Sequence, residues 1–552
     1  MFNADNLPGL FLAIVTASAV LSLFASFVLL RRYRRAVVRS MLSAQGQATA
    51  PRVDVLAGSP GGERREPLRI AQTTADTSTT DISNLIGGSA PISTGRIAVY
   101  SAAGLAFALV FATTWNFLLE GGFLPIRFLW LATSYAWPLV MGLCLLILHH
   151  RRDRLLCLGI YLLALIVFGA IELAKSPGLT TAQLLQSWAS MNGLETILMF
   201  CFLARPIRAV GPLVLAFTLT GMAGAAVSAD FVSKHISVMS ALVSVGEPLG
   251  MSAIALLALV HSVGFVLFGF VGWWLLQWTG RGYRAKRTSA QSITMDALFL
   301  VFGTLYAIDL LLESWSWALA GVVAFATYKL VAHAGFIWLR GRRTNEPRPP
   351  TLLLLRVFSL GRRSERFFDA LSNQWLLAGP LSVIAGPDLA TSTVQPHEFL
   401  DYVGGRLSRR FVTGEADLSK RLAEFDARRD PDGRFRVNEF FCSSSTWQMT
   451  FRALARTSTA ILMDLRGFSR RNQGCLYEIS QLLAETPLEH VLFMVDATTD
   501  RAFLDQSLQQ LWGRVPGASP NRSDPVPTAR LLAAARRPAT SATTAISILC
   551  KI

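Results

Sequence analysis

The segment AILMDLRGFSRRNQGCLYEISQLL (460–483) decides how the C-terminal part of this chain folds. It opens with AILMDL, a continuous apolar run of the kind found in parallel strands that are covered on both faces. A short polar loop follows, and GCLYEISQLL then has the apolar periodicity of a helix. This order of strand, loop and helix predicts a parallel sheet with helices packed on it.

The same alternation recurs throughout the tail. TLLLLRVF (351–358), PLSVIAGPDL (380–389) and HVLFMVDA (490–497) are further candidate strands separated by helical segments, and TARLLAAA (528–535) is a candidate last strand. Strands that alternate with helices form doubly wound α/β sheets. We therefore predict a doubly wound, flavodoxin-like α/β domain over residues 351–552.

The residues before this domain have the composition of a membrane protein. The 552-residue chain is 52% apolar and only 16% charged, with a mean hydropathy of +0.41, whereas a soluble domain carries about a quarter charged residues. An ordinary soluble enzyme is thereby excluded. Many apolar residues form stretches long enough to cross a ~30 Å hydrocarbon core as a helix. We predict an α-helical polytopic domain with about nine spans, at residues 10–30, 96–119, 128–149, 155–174, 186–204, 211–229, 250–277, 292–312 and 316–339.

These features divide the chain into five parts. We predict an N-terminal transmembrane helix with a basic inner flank over 1–39, followed by a flexible cytoplasmic linker over 40–94, which is rich in small and polar residues. An eight-helix transmembrane domain is predicted over 95–343. A short linker containing EPRPP covers 344–350, and the α/β domain covers 351–552.

The basic residues predict the orientation in the membrane. If the N-terminus is external and the predicted spans cross the membrane alternately, clusters such as RRYRR (31–35) and RRDR (151–154) lie on the inner side. The outer loops then contain only Arg127, Lys175 and Lys234. This bias follows the positive-inside rule. It predicts a multi-pass protein of a bacterial inner (plasma) membrane, with its N-terminus outside and its C-terminus in the cytoplasm. The net charge of +16 then lies next to the lipid bilayer, and we expect no nucleic-acid partner.

The segment 460–483 also carries the short motif of a known family. Its strand is followed by a loop with Phe468 and Ser469, and then by a helix that opens with Cys475 and Glu478. This arrangement resembles TIR (Toll/interleukin-1 receptor) domains. At the corresponding position, TIR domains have an apolar strand, then a loop with an aromatic residue and a serine, and then the motif W-C-x-x-E-L.

Two further segments are similar to the same family. LLLLRVFSLGRRSERFFDAL (352–371) is similar to its opening strand, serine-containing loop and first helix, and TWQMTFRALARTSTAIL (446–462) to the helix and strand before the central motif. The chain departs from the family at Gly474, which stands in place of the usual tryptophan. The segment 390–445 is also longer than the family pattern.

The resemblance implies an activity. Enzymatic TIR domains cleave NAD at the nicotinamide ribosyl bond with the glutamate of this helix. Carried over, Glu478 is the catalytic residue, and NAD is a substrate rather than a permanently bound cofactor. A carboxylate in a cleft can stabilise the positive charge that develops at an anomeric carbon. The resemblance also implies a homo-oligomer and a role in signalling or defence.

Ligands of open parallel sheets bind beyond the carboxyl ends of the strands. The chain has no dinucleotide-binding glycine motif, P-loop or GxSxG elbow, and no Cys/His spacing typical of a metal site. We therefore predict no metal. The candidate NAD-binding residues at the strand ends are Phe358, Ser359, Arg362, Asp388, Phe468 and Ser469.

Other interpretations remain open at this point. The helix macrodipole alone favours a glutamate such as Glu478 in a first helical turn, and Cys475 has the character of a small core residue. Asp464 and Asp496 could bind a ligand or cap loops. The tail could also be a scaffold without catalysis. The main alternative is a transporter or channel-like protein with a regulatory α/β domain, for which Glu195 is the candidate residue within the membrane.

Overall fold

A computed structural model describes residues 7–43, 66–73, 90–120, 122–148, 151–176, 178–203, 207, 210–314, 316–341, 349–356, 362–385, 394, 396–443, 445–522, 525–535 and 537–550. The chain divides into two compact units. Unit 1 comprises Met1–Tyr33, Thr94–Arg342 and Gln395–Gly404. Unit 2 comprises Arg34–Ser93, Arg343–Val394 and Gly405–Ile552.

Long helices make up the N-terminal part of the chain. They are α1 (Leu7–Ser43), α2 (Ala90–Glu120), α3 (Pro125–Tyr135), α4 (Trp137–Gly142), α5 (Arg151–Lys175), α6 (Thr181–Phe202), α7 (Gly211–Lys234), α8 (Ile236–Gly246), α9 (Ala253–Arg284), α10 (Ala290–Glu313) and α11 (Leu319–Gly341). A π-helical turn at Leu143–Ile147 continues α4.

Within the described residues, seven helical segments are long and apolar enough to cross a membrane. They are Thr94–Leu118, Pro125–Ile147, Arg151–Lys175, Gly211–Lys234, Ala253–Arg284, Ala290–Leu311 and Leu319–Gly341. A helical part compatible with a membrane protein is therefore confirmed. Two of the nine predicted spans fall on α1 and α6, which are not among the seven. In α6, polar residues such as Gln183, Asn192 and Glu195 lower the hydropathy.

Helices α7 and α9 approach each other through small residues. A Cβ atom added to Gly264 would lie 2.8 Å from the carbonyl oxygen of Gly224 and 2.8 Å from the Cβ of Ser228. Only glycine fits at this distance without moving the backbone. Close contact through small residues is typical of helices that pack inside a lipid bilayer. The large exposed side chains of α9, such as Phe270 and Trp274, also suit hydrocarbon surroundings.

Unit 2 contains a fully parallel sheet. Its described strands are β1 (Arg69–Gln72), β2 (Leu352–Arg356), β3 (Leu381–Ala385), β4 (Phe411–Val412), β5 (Val437–Cys442), β6 (Ala460–Asp464), β7 (Val491–Val495) and β8 (Thr528–Ala533). The strand order is β1-β8-β7-β6-β2-β3-β5-β4. Every residue of β2, β3, β6 and β7 is buried, as expected of strands covered on both faces. The helices of unit 2 are α12 (Arg362–Trp375), α14 (Glu415–Ala423), α15 (Trp447–Thr457), α16 (Gln473–Glu485), α17 (Arg501–Gly513) and α18 (Pro538–Leu549).

The five central strands have a recognised order. Along the chain they are β2, β3, β6, β7 and β8, and in the sheet they run β3-β2-β6-β7-β8. This is the flavodoxin-like order of doubly wound sheets, with β5 and β4 added beyond β3 and β1 added beyond β8. The predicted parallel sheet is confirmed. The chain leaves β2 towards β3 on one side and later reaches β6 on the other, so the switch point lies between β2 and β6.

The short helix α13 (Pro396–Val403) belongs to unit 1. Within that unit, Asp401 accepts a hydrogen bond of 2.8 Å from Arg284 Nη1. The ring of Tyr402 meets the edge of Tyr33 at a centroid distance of 5.4 Å. The domain predicted over 351–552 therefore needs correction at Gln395–Gly404, because these contacts attach the segment to the helical unit.

The linker predicted over 40–94 also needs correction, because β1 lies within it. β1 runs parallel to β8, with Arg69 opposite Thr528. Leu68 is 3% exposed and belongs to the apolar core of unit 2. The side chain of Gln509 accepts from the Leu68 N–H at 3.0 Å and donates to its carbonyl oxygen at 2.8 Å. A four-residue strand is too short to produce a visible apolar period.

Replacement of Leu68 tests whether this strand stabilises unit 2. Leu68→Ala should lower the free energy of unfolding by about 2–5 kcal/mol, because it leaves a cavity in the core. Denaturant unfolding of the full chain in detergent, with hydrogen exchange read at β8, measures the effect. Ile70→Ala, at a half-buried position, is the matched control with a smaller expected loss. Equal, small losses in both variants would show that Leu68 does not anchor the strand.

Candidate functional site

A buried ion pair occupies the switch point of the sheet. β2 ends at Arg356 and β6 at Asp464, directly opposite each other, and both are buried. Asp464 accepts hydrogen bonds from Arg466 Nε at 2.8 Å and Nη2 at 2.6 Å, and from the Arg466 backbone N–H at 3.2 Å. The Arg466 guanidinium also lies 4.8 Å from the ring centre of Phe367. The negative charge of Asp464 is therefore matched within the fold.

Glu478 lies in α16, next to β6 in the chain, and is only 4% exposed. Its Oε2 atom has no hydrogen-bond partner among the described residues. Burial raises the pKa of this carboxyl group to about 8, since a charged carboxylate is costly to hold in a poorly hydrated site. Glu478 is therefore mostly a neutral acid at pH 7.

Cys475 connects Glu478 electrostatically with the strand end. Burial, and then the nearby charges of Glu478 and Asp464, raise the pKa of the Cys475 thiol. The thiol therefore remains protonated, which fits a small core residue better than a nucleophile. Glu478 and Asp464 therefore both lie within electrostatic range of the Cys475 thiol.

The macrodipole interpretation of Glu478 does not fit this geometry. α16 begins at Gln473, and its first turn contains no acidic residue, so Glu478 lies in the second turn. The macrodipole effect falls off within the first turn. A buried carboxyl group without a partner lowers stability. Such a group, with a strongly perturbed pKa, is a candidate for function.

Phe468 and Ser469 shape the loop between β6 and α16. Phe468 is fully buried and stacks on Phe503 with centroids 5.7 Å apart. Its carbonyl oxygen accepts from the Asp500 N–H at 2.9 Å. Ser469 donates to Asn472 Oδ1 from its N–H at 2.9 Å and from its hydroxyl at 3.1 Å. Through these contacts, Phe468 and Ser469 position α16 and α17. None of the contacts involves Glu478.

The other candidate ligand residues lie at the edge of the described region. Phe358, Ser359 and Asp388 fall outside the described residues. Arg362 is the first residue of α12, and its side chain is not among those described. The structure therefore gives the positions of Glu478, Phe468 and Ser469, and all of the catalytic and NAD-binding assignments stay predictions.

Asp496, which follows β7, is held by neighbouring groups. Arg363 Nη2 donates to it at 2.8 Å, and the N–H and hydroxyl of Thr498 donate at 2.9 and 2.5 Å. Burial acts to raise the pKa of Asp496, but the Thr498 hydrogen bonds and the charges of Arg363 and Arg466 lower it overall. This arrangement favours the loop-capping interpretation of Asp496.

An aromatic pair beside α16 was not anticipated from the sequence. The Trp447 ring lies 3.9 Å from the position of a Cβ atom on Gly474. It also meets the Tyr477 ring edge-on, with centroids 5.4 Å apart, and Arg452 Nε donates to the Tyr477 hydroxyl at 2.9 Å. An indole ring therefore lies beside Gly474, although the chain has no tryptophan at that position. Only the tertiary structure reveals this neighbour.

Comparisons with protein-family models, curated proteins and solved structures give no match for this chain. Among the described residues, no group of three or more His, Cys, Asp or Glu side chains could hold a metal ion. The site is therefore interpreted from its own geometry.

The raised pKa of Glu478 predicts a pH-dependent stability of unit 2. Between the ordinary pKa near 4.5 and the folded value of about 8, the unfolded chain releases a proton that the folded chain retains. Stability should therefore fall as the pH rises through this window, by a total of about 5 kcal/mol. Glu478→Gln should flatten that part of the profile, as measured by denaturant unfolding of the full chain at several pH values. Parallel profiles for the wild type and the variant would contradict the assignment.

Proposed function

We propose that this chain is a multispanning membrane protein whose cytoplasmic α/β unit hydrolyses NAD at the nicotinamide ribosyl bond, in signalling or defence. The observation that carries the proposal is the unpartnered, buried carboxyl group of Glu478 in α16, the helix that follows the central strand β6. The flavodoxin-like strand order and the TIR-like segment 460–483 support it. The same unit acting only as an association module is the alternative that the activity test addresses.

The chemistry matches the properties of Glu478. In the reaction, the bond between ribose C1 and the nicotinamide nitrogen breaks, and its electron pair stays on the nitrogen. Positive charge then moves from the nicotinamide ring to the ribose, and a water molecule adds at C1 and releases a proton. A carboxylate beside C1 stabilises the developing positive charge in the transition state more strongly than it stabilises bound NAD in the ground state. The cationic nicotinamide ring of bound NAD would also favour the charged form of Glu478.

The membrane part of the proposal includes nine spans. α1 and α6 have the required length, and counting both as spans brings the basic clusters 31–35, 151–154 and 340–343 to one side. The positive-inside rule then supports an external N-terminus and a cytoplasmic C-terminus in a bacterial inner membrane. Unit 2 would thereby have access to intracellular NAD. Self-association of unit 2 into a homo-oligomer belongs to the same proposal.

A direct assay tests the activity. The full chain in detergent or liposomes, incubated with NAD, should release nicotinamide, and Glu478→Gln should reduce the rate by about 100-fold or more. The wild-type kcat/KM should increase with pH with a midpoint at about 8, as Glu478 loses its proton.

Glu485→Gln is the matched control on the same helix. Glu485 pairs with Arg456 at 2.9 Å and is partly exposed, so this variant should retain the wild-type rate. A wild-type chain without activity would favour the association module. An active Glu478→Gln variant would remove Glu478 from the mechanism.

Reporter fusions test the orientation. Fusions after Ser43 and after Arg343 should both report a cytoplasmic location, because α1 and the last span each end beside a basic cluster. A fusion at Gly122, between α2 and α3, should report the opposite side. An external signal after Arg343 would contradict the proposed access of unit 2 to intracellular NAD.

A further inference from the structure

Helix α6 directs a polar face into the interior of unit 1. Asn192 is fully buried and donates from Nδ2 to the carbonyl oxygen of Ser134 in α3 at 3.3 Å. Its Oδ1 accepts from the Tyr306 hydroxyl of α10 at 2.7 Å. Trp137 Nε1 donates to Thr196 Oγ1 at 2.6 Å. Asn192 and Thr196 of α6 therefore face neighbouring helices.

Glu195 lies on α6 between Asn192 and Thr196, one turn or less from each. It is 4% exposed, and its Oε2 atom has no hydrogen-bond partner among the described residues. The Ser134 hydroxyl, also fully buried, has no partner in the described part of the chain either. Asp309 of α10 lies within electrostatic range of Glu195. None of the described basic side chains forms an ion pair with Glu195 or Asp309.

Two other acids of unit 1 have partners. Asp296 pairs with Lys329 Nζ at 2.6 Å, and Glu172 accepts a hydrogen bond from Ser176 Oγ at 3.2 Å. Two acids without a counter-charge are costly at such a site. Ionisable residues inside a membrane domain mark functional sites by default.

We propose that Glu195 and Asp309, with Ser134 Oγ and Asn192 Oδ1, form a binding site for a hard divalent cation, Ca²⁺ or Mg²⁺. The two negative charges of the carboxylates balance the charge of one divalent ion. A monovalent ion would neutralise only one of them. All the donors are oxygen atoms, the type that these cations prefer over nitrogen or sulfur. The Tyr306 hydroxyl fixes the orientation of the Asn192 amide.

The site has an entry from one end of α10. Asp309 is half-buried, and Glu313, one turn further along the helix, is exposed. An ion could therefore reach Asp309 from water at this end of the helix and then contact Glu195. This inference is independent of NAD hydrolysis by unit 2, because it concerns residues of unit 1 alone.

Thermal unfolding of the full chain in detergent tests the site. After removal of divalent ions with EDTA, addition of CaCl₂ or MgCl₂ should raise the Tm of wild type in a saturable manner, because a ligand that binds only the folded state stabilises it. NaCl at equal ionic strength should not. Equilibrium binding of ⁴⁵Ca²⁺ or competition by Mg²⁺ should give one site per chain.

Glu195→Gln should abolish both the Tm increase and the bound ion. Glu172→Gln, at a buried glutamate that already has a partner, is the matched control and should retain both. If Glu195→Gln does not fold, Asp309→Asn tests the same site, because it removes the second carboxylate and should also abolish the Tm increase and the bound ion. Stabilisation by NaCl alone, by pH alone, or to an equal extent in Glu195→Gln would overturn the proposal.

Discussion

Burial of Glu478 in α16, the helix that follows the central strand β6, sets the character of the candidate site. A carboxyl group in such surroundings either finds a partner or takes up a proton. Asp464, also buried, has Arg466, whereas Glu478 Oε2 has no hydrogen-bond partner among the described residues. The fold can hold Glu478 there only because continuous apolar strands bury both faces of the sheet and thereby support α16. Its neutral state at pH 7 makes it ready to respond to a cationic ligand.

The helical unit contains a second case of the same physical situation. Glu195 is buried and its Oε2 lacks a partner in the described part of the chain, whereas Asp296 of the same unit pairs with Lys329 and Glu172 accepts a hydrogen bond from Ser176. Other buried acids, such as Asp464 and Glu172, have hydrogen-bond partners. Stability alone does not favour buried acids without partners, so a ligand that brings positive charge is the simplest physical reason for them.

The sequence predicts the strongest elements of this fold and misses the weakest. LLLLR, LSVIA, AILMD and VLFMV are continuous apolar runs, so β2, β3, β6 and β7 could be predicted locally. β5 carries Asn438 and Glu439, and β1 and β4 have four and two residues, so only tertiary pairing defines them. Glu478 could be selected from its motif. The burial of its carboxyl group and the Trp447 ring beside Gly474 depend on contacts distant in sequence.

The protonation state of Glu478 is the quantity that tests this account most directly. Infrared spectra of the full chain, titrated from acidic to strongly alkaline pH, should be compared between wild type and Glu478→Gln. The difference should contain the band of a protonated carboxyl group that persists at neutral pH and disappears with a midpoint at about 8. No such band in the difference, or one that disappears near 4.5, the ordinary value for a glutamate, would show that Glu478 is solvated and ionised, and would contradict the account.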